Sequence, residues 1–366
     1  MFMLILNSRN MKKLFMLGFA VTALIFTSCN SDDDDFQPVD PEVEAFSNGV
    51  FVLNEGGFGS NNASVSFLAE DGTVTQQIFN LINGENLGDV AQSLYLKDDR
   101  AYIVLNGSGT VEVVNRYTFE KIGTVSSGLA NPRNITVLNG KGFVTNWGDP
   151  TDPNDDFVAV VDLSNFSVTS TISVSEGPEQ IHSSAGGKLY VAHMGGWGFG
   201  SSVSVVNPST QTVDAEIATG DVPESIVVQD EKLFVLSSGK AAWTGDETGG
   251  SLAVYDLLTN HIISSVDFAT NFHPENLKMN EGVLYFTEND KVFKANAGSL
   301  DVTELFSMSA QGVFGAYGFD VRDGKIFVGD AGDYTSDGTV YIYNMTGGVV
   351  DSFTAGLLPN GFGFND

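Results

Sequence analysis

From about Ser47 onward, short runs of aliphatic and aromatic residues alternate with polar ones, and turns rich in Gly, Asn and Asp separate them. That alternation predicts β-strands joined by hairpins. In one stretch, Glu224–Val228 reads as a strand, Asp230-Glu231 as a turn, and Lys232–Leu236 as the next strand. A longer loop leads to Leu252–Asp256, a turn at Leu258–Asn260, and His261–Val266. Four short antiparallel strands of this kind form one propeller blade. Downstream of residue 28 no run repeats apolar residues at helical spacing, so an all-β chain is expected.

The pattern recurs. Taking Ala91, Pro132, Pro178, Pro223, Pro274, Ala316 and Pro359 as origins, successive copies lie 41 to 51 residues apart. Three residues past each origin stands Leu94, Ile135, Ile181, Ile226, Leu277, Phe319 or Phe362. Eleven past it an aromatic returns at Tyr102, Phe143, Phe234, Tyr285 and Phe327, with Tyr190 displaced by one. This period predicts a β-propeller or a solenoid. The two ends decide between them. The first copy opens at Val50–Leu53, which matches a second strand, and the missing first strand appears at Pro359–Phe364. Pairing the two removes both open sheet edges. The expectation is a seven-bladed propeller over residues 48–366, closed by its C-terminal strand.

Ahead of it, Met11-Lys12-Lys13 and the apolar run Leu14–Phe26 read as a secretory leader, with Met11 as the expected true start. The run is too short for a membrane span and ends in small residues. Residues 1–28 are thus assigned to a signal peptide and residues 29–47 to an acidic flexible linker. Phe26-Thr27-Ser28-Cys29 resembles a bacterial lipobox, and Cys29 is the only cysteine of the chain. Acylation there would anchor the protein to a bilayer without a spanning helix. It would also leave no thiol for a disulfide. Asp32–Asp35 follow directly. They read either as a solvated spacer or as the acidic tag that some surface-exported lipoproteins carry after the acylated cysteine.

Charge excludes one class of partner. With 46 acidic and 17 basic residues the net charge is −29. Removing residues 1–28 takes away Arg9, Lys12 and Lys13 and no acid. Such a chain repels nucleic acid and anionic membrane surfaces and suits neutral or cationic ligands.

In an up-and-down ring, the loops between strands two and three and those between blades open on one face. All three tryptophans, Trp147, Trp197 and Trp243, fall in the former set, together with Phe58, Phe199 and Tyr334. Turns favour Gly, Asn, Asp and Pro, so indoles there read as a rim for a flat ligand or a partner, or as side chains closing their own loops. One residue past each origin lie Gln92, Arg133, Glu179, Glu224, Glu275, Tyr317 and Asn360. These read as a polar throat that hydrogen-bonds amides or a cation, or as a routine entry into the inner strand.

Catalytic signatures are thin. His182, His193, His261 and His273 are the only histidines, and no serine-hydrolase elbow, zinc-protease motif or cysteine nucleophile accompanies them. A non-enzymatic protein without cofactor or metal is expected. Asp149, Asp152, Asp155 and Asp156 lack the alternation of a dedicated calcium loop and read as a solvated turn.

Gly142-Phe143-Val144-Thr145-Asn146 resembles the signature of bacterial YVTN-type propellers, and Lys188–Ala192 and Val203–Asn207 fit the same strand patterns. That resemblance implies fold more than activity. A narrower one rests on the lipobox, the acidic tag, the opening Phe51-Val52-Leu53-Asn54-Glu55-Gly56 and the aromatic loops. In these the chain is similar to surface lipoprotein propellers that capture cobalamin above TonB-dependent outer-membrane transporters. This likeness implies an outer-membrane, outward-facing, lipid-anchored protein that binds a small ligand, with a corrinoid first, and hands it to a transporter. It also implies contacts from Trp147, Trp197, Trp243 and Tyr334, with Arg133 and Glu179 beneath. A protein-interaction or adhesion propeller is the alternative, and a lactonase-like enzyme a further one.

Overall fold

Two-residue turns set the hairpins. Asn139-Gly140, Asp230-Glu231, Glu281-Gly282 and Asp323-Gly324 all adopt left-handed φ at both positions, between 50 and 75°. That is the backbone that matches the right-handed twist of the flanking strands. The computed structural model describes residues 45–366 apart from Pro150 and Trp197. The leader, Cys29 and the Asp32–Asp35 tag fall outside the described residues.

Seven four-stranded antiparallel sheets result. Blade 1 consists of Pro359–Asn365, Gly49–Asn54, Ser64–Ala69 and Val74–Thr75, in that spatial order. The C-terminal strand therefore completes the N-terminal sheet, with Val50 opposite Phe364 and Val52 opposite Phe362. The inner strands of blades 2 to 7 are Ala91–Lys97, Pro132–Leu138, Pro178–Ser183, Pro223–Gln229, Glu275–Asn280 and Gly318–Arg322. Each packs against the next, and the blade 7 strand packs against Pro359–Asn365, which closes the ring.

The repeated positions are the core. Ile135, Ile181, Ile226, Leu277, Phe319 and Phe362 are buried, as are Tyr102, Phe143, Tyr190, Phe234, Tyr285 and Phe327. They fall into seven apolar clusters, one between each pair of neighbouring blades. Each such side chain contributes roughly 1.5–3 kcal/mol on burial, so stability is spread evenly around the ring.

Within this all-β ring the described residues hold one α-helix and two single 3-10 turns, Ala242–Thr244 and Ser309–Gln311. The outer strand of blade 1 stops after Val74–Thr75, Gln77 turns left-handed, and a helix runs over Ile78–Asn83 to a left-handed Gly84. Ile78 and Phe79 then fill the core between blades 1 and 2. Six residues are too few for an apolar repeat at helical spacing to register.

Candidate functional site

The residue before the inner strand is left-handed in five blades: Val90, Asn131, Gly177, Val222 and Leu358, with φ between 49 and 65°. Its carbonyl accepts the amide of the residue just past strand two of the same blade. These amides belong to Asn106, Trp147, Met194, Ser238 and Glu55, at 2.8, 3.2, 3.0, 2.8 and 2.9 Å. β-Branched Val90 and Val222 hold this backbone at a cost of order 1–3 kcal/mol each. Directly afterwards the inner strand slips register against strand two in blades 2 to 6. A bulge re-aims side chains, and here it turns the first residues of the strand toward the axis.

They meet around a cavity of about 350 Å³. Gln92, Arg133, Glu179, Glu224, Tyr317 and Asn360 all line it, as their place in the repeat predicts. Glu275 does not; it is exposed, and Asn276 occupies the lining position. The cause is local: Asn276 itself is left-handed, φ 65°, inside the slip between Glu275 and Lys278. Its amide nitrogen donates to Glu224 Oε2 at 3.0 Å.

Arg133 forms a fork on Glu179, with Nε 2.8 Å from Oε2 and Nη2 3.1 Å from Oε1. Both side chains are largely buried. The guanidinium also lies over the Trp147 ring, 4.0 Å from its centroid. Across the mouth, the Tyr317 hydroxyl donates to Glu55, and Tyr317 meets Tyr334 edge-to-face at 5.7 Å. Burial raises the Glu55 carboxyl, while the Tyr317 hydrogen bond and the Arg133 charge pull it back. The Tyr317 phenol is pushed up by burial and by Glu55. Glu224 is half-buried where it lines the lumen. Desolvation, repulsion from Glu275 and, more weakly, Glu179 lift it to about 7 against the hydrogen bonds from Ser225 and Asn276. Deeper, Lys278 pairs with Asp320 at 3.2 Å. Burial and the Lys278 charge lower the neighbouring His182 to about 4.

The aromatic rim is not one ring. Trp147 and Tyr334 are not lining residues themselves; they pack on Arg133 and Tyr317, which are. Phe199 and Trp243 form a separate pair at 6.1 Å, with Lys240 Nζ 6.0 Å from the Phe199 centroid. Trp243 is 82% exposed on a rigid turn that Lys240, Thr248 and Asp221 pin together. Phe58 stands apart, 88% exposed. Trp197 lies outside the described residues.

The other histidines are engaged separately. His193 is buried, with Nε2 2.6 Å from Ser204 Oγ, which in turn donates to Glu216. His273 touches the Ser238 carbonyl and Glu247 at 2.9 and 3.2 Å. The acidic loop of blade 3 turns inward on itself: Asp149 accepts from Thr151, Asp155 from the Asp149 amide, and Asp156 from the Gly177 amide. Burial first, then the neighbouring acids, lift Asp156 to about 6. Among the described residues no group of three or more His, Cys, Asp or Glu could hold a metal ion. Among them, too, no helix is long and apolar enough to cross a membrane.

Sequence reasoning missed Glu55, Asn134, Gln180, Met194, Asn276 and Lys278 as lining residues. For Glu55 and Met194 a signal existed, because both occupy the slot just past strand two that Trp147 occupies in blade 3.

A family model described as "Domain of unknown function (DUF5074)" matches residues 48–328. No functionally curated protein matches the chain by sequence. Similar solved structures include Kuenenia stuttgartiensis hydrazine synthase, 16% identical over 72% of this chain and 85% of that one, TM-score 0.58. BamB from Moraxella catarrhalis is 16% identical over 88% and 85%, TM-score 0.52. Dihydro-heme d1 dehydrogenase NirN, in complex with DHE, is 13% identical over 91% and 78%, TM-score 0.56. At such identities the likeness carries the fold alone.

Proposed function

The chain belongs to the family described as Domain of unknown function (DUF5074), and we propose that this member is a non-enzymatic capture protein for a small ligand. In this reading it is a YVTN-like lipoprotein, acylated at Cys29 and displayed on the outer membrane. It takes a ligand at the propeller throat and passes it to a TonB-dependent transporter. The observation that carries the binding role is the lumen itself. Gln92, Asn134, Gln180, Asn276 and Asn360 give it a polar lining between the Arg133–Glu179 fork and the Glu55–Tyr317 pair.

A cavity of about 350 Å³ is at the small end for an organic ligand, where roughly 300–1,000 Å³ is usual. It admits one edge of a large planar molecule, whose body would lie across the mouth against Trp147 and Tyr334. A corrinoid fits that description, being a broad ring with carboxamide arms, and is the first ligand to test. Titrating the mature protein with cyanocobalamin in a calorimeter is expected to give a saturable heat. No heat and no thermal shift across a corrinoid panel would remove that ligand.

The exposure of Phe58 and Trp243, both detached from the throat, supports a second role for this face in docking a partner protein. Affinity capture from outer membranes is expected to recover a transporter. Recovery of a matrix or adhesion protein instead would favour an adhesion propeller. The non-enzymatic reading is supported by His182, His193 and His273 each bearing on a different set of neighbours.

A further inference from the structure

The charges around the throat do not cancel. Among the described residues Arg133 and Lys278 are the only cations lining the cavity, and each already faces a carboxylate, Glu179 and Asp320 respectively. Glu55 and Glu224 are left over. Among the described residues the Glu55 carboxylate has the Tyr317 hydroxyl as its hydrogen-bond partner, and Glu224 accepts from the Asn276 backbone amide. Asn360 adds an acceptor. Its nitrogen is committed to the Ala91 carbonyl at 2.8 Å, while its oxygen is buried with no partner. A lumen with two unmatched carboxylates and an orphan carbonyl lacks positively charged donors. The Tyr334 ring, edge-to-face with Tyr317 and 62% exposed, suits a cation as well.

We infer that the throat is selective for a cationic, N–H-bearing group, an ammonium or amidinium carried on a small organic molecule, held between Glu224, Glu55 and Asn360. This rests on the reading of the throat as a binding site and adds the charge of the group that enters it. An ammonium donates three hydrogen bonds and supplies the counter-charge that both carboxylates lack. Near neutrality Glu224 holds a proton part of the time, because desolvation and then the Glu275 and Glu179 charges raise its carboxyl. A cation entering must displace that proton, so binding and proton release are linked.

The test uses benzylamine, benzyl alcohol and benzoate, which share one ring and differ in charge. Calorimetry at pH 7 in two buffers of different ionisation enthalpy reads affinity and proton release together. Benzylamine is expected to bind at least tenfold more tightly than benzyl alcohol and to release protons, and benzoate to give no heat. Glu224→Gln is expected to weaken benzylamine about tenfold, abolish proton release and leave benzyl alcohol unchanged. Glu55→Gln serves as the second variant should the first fail to fold. Equal affinity for benzoate, absence of benzylamine binding, or indifference to both substitutions would overturn the inference. The corrinoid titration stands apart from this one. A corrinoid that binds while benzylamine does not removes only the cation preference. The reverse removes the corrinoid and keeps the cation site.

Discussion

Asn365 Nδ2 lies 2.6 Å from the Phe46 carbonyl, so the last strand is tied to the segment leading into the strand it pairs with. The same amide donates to the Arg116 carbonyl at 2.9 Å, and Arg116 Nε returns a bond to its oxygen. The side chain is wholly buried. Asn365→Ala would strand two carbonyls and one guanidinium nitrogen, each costing about 1–3 kcal/mol where water cannot reach. Partial relaxation sets the expected loss at roughly 2–4 kcal/mol, read as a lower midpoint in urea unfolding. An unchanged midpoint would mean that strand pairing alone closes the ring.

The same seam holds a glycine that no side chain can replace cheaply. A Cβ on Gly329 would sit 2.1 Å from the Pro359 carbonyl oxygen, where blade 7 meets the closing strand. Gly329→Ala is expected to lower stability by about 1–3 kcal/mol through forced backbone shifts. Gly324→Ala, in an open hairpin turn, meets no atom but is left-handed at φ 69°. It should cost less, on the order of 1 kcal/mol. Thermal melts of the pair check the order.

Much of this ring can be read from the chain because its signals are periodic. Ile135 and Phe143, or Ile226 and Phe234, recur at fixed offsets because every blade presents the same two faces to its neighbours. The orphan strand at Pro359 follows from the same count. The throat was legible where the repeat held, at Arg133, Glu179 and Glu224. It was not at blade 6, where the slip after Glu275 hands the lumen to Asn276. A bulge changes which side chain points inward without changing composition, so the sequence carries no mark of it. Glu55 escaped for a different reason: it reaches the lumen from the loop after strand two, by the Leu358 carbonyl holding its amide. The scatter of the indoles is a fact of neighbours in space, since Trp147 is drawn to Arg133 and Trp243 to Phe199.

Glu224 makes stability fall as pH rises through the range below neutrality. The unfolded chain ionises this carboxyl near 4.5, while the folded protein holds its proton until about 7. Below the lower value both states are protonated and nothing is lost. Between the two the unfolded state gains by releasing a proton, and above pH 7 the full penalty stands. Glu224→Gln should therefore stabilise the protein at pH 8, by on the order of 1–3 kcal/mol, and have little effect at pH 4. Equal gains at both values would point to packing instead of charge.

His193 acts with the opposite slope. Burial holds its imidazole down to about 4, against a pull from Glu216, whereas the unfolded chain takes a proton near 6.5. Its contribution is complete above pH 6.5 and drains away as pH falls toward 4. His193→Gln should remove part of the acid sensitivity between those values, visible as a flatter plot of melting temperature against pH. The substitution also costs stability at pH 8, because the Ser204 contact is lost. A variant that is destabilised yet keeps the wild-type slope would assign the acid response to His182.

Two tryptophans on one face should separate by function. Trp147 is stacked on Arg133 at 4.0 Å, so its loss frees the guanidinium that lines the cavity to swing from Glu179. Trp243 meets Phe199 at 6.1 Å and is otherwise largely exposed. Trp147→Ala is expected to weaken the throat ligand by about 10–100-fold, the range of an interface anchor at roughly 1.4–2.8 kcal/mol. Trp243→Ala should leave that affinity within about twofold, while reducing recovery of the partner protein from outer membranes. Calorimetry reads the first and affinity capture the second. If Trp243→Ala abolished ligand binding as Trp147→Ala does, the two aromatic groups would have to serve one extended ligand lying across blades 3 to 5. The throat would then be only its anchor point.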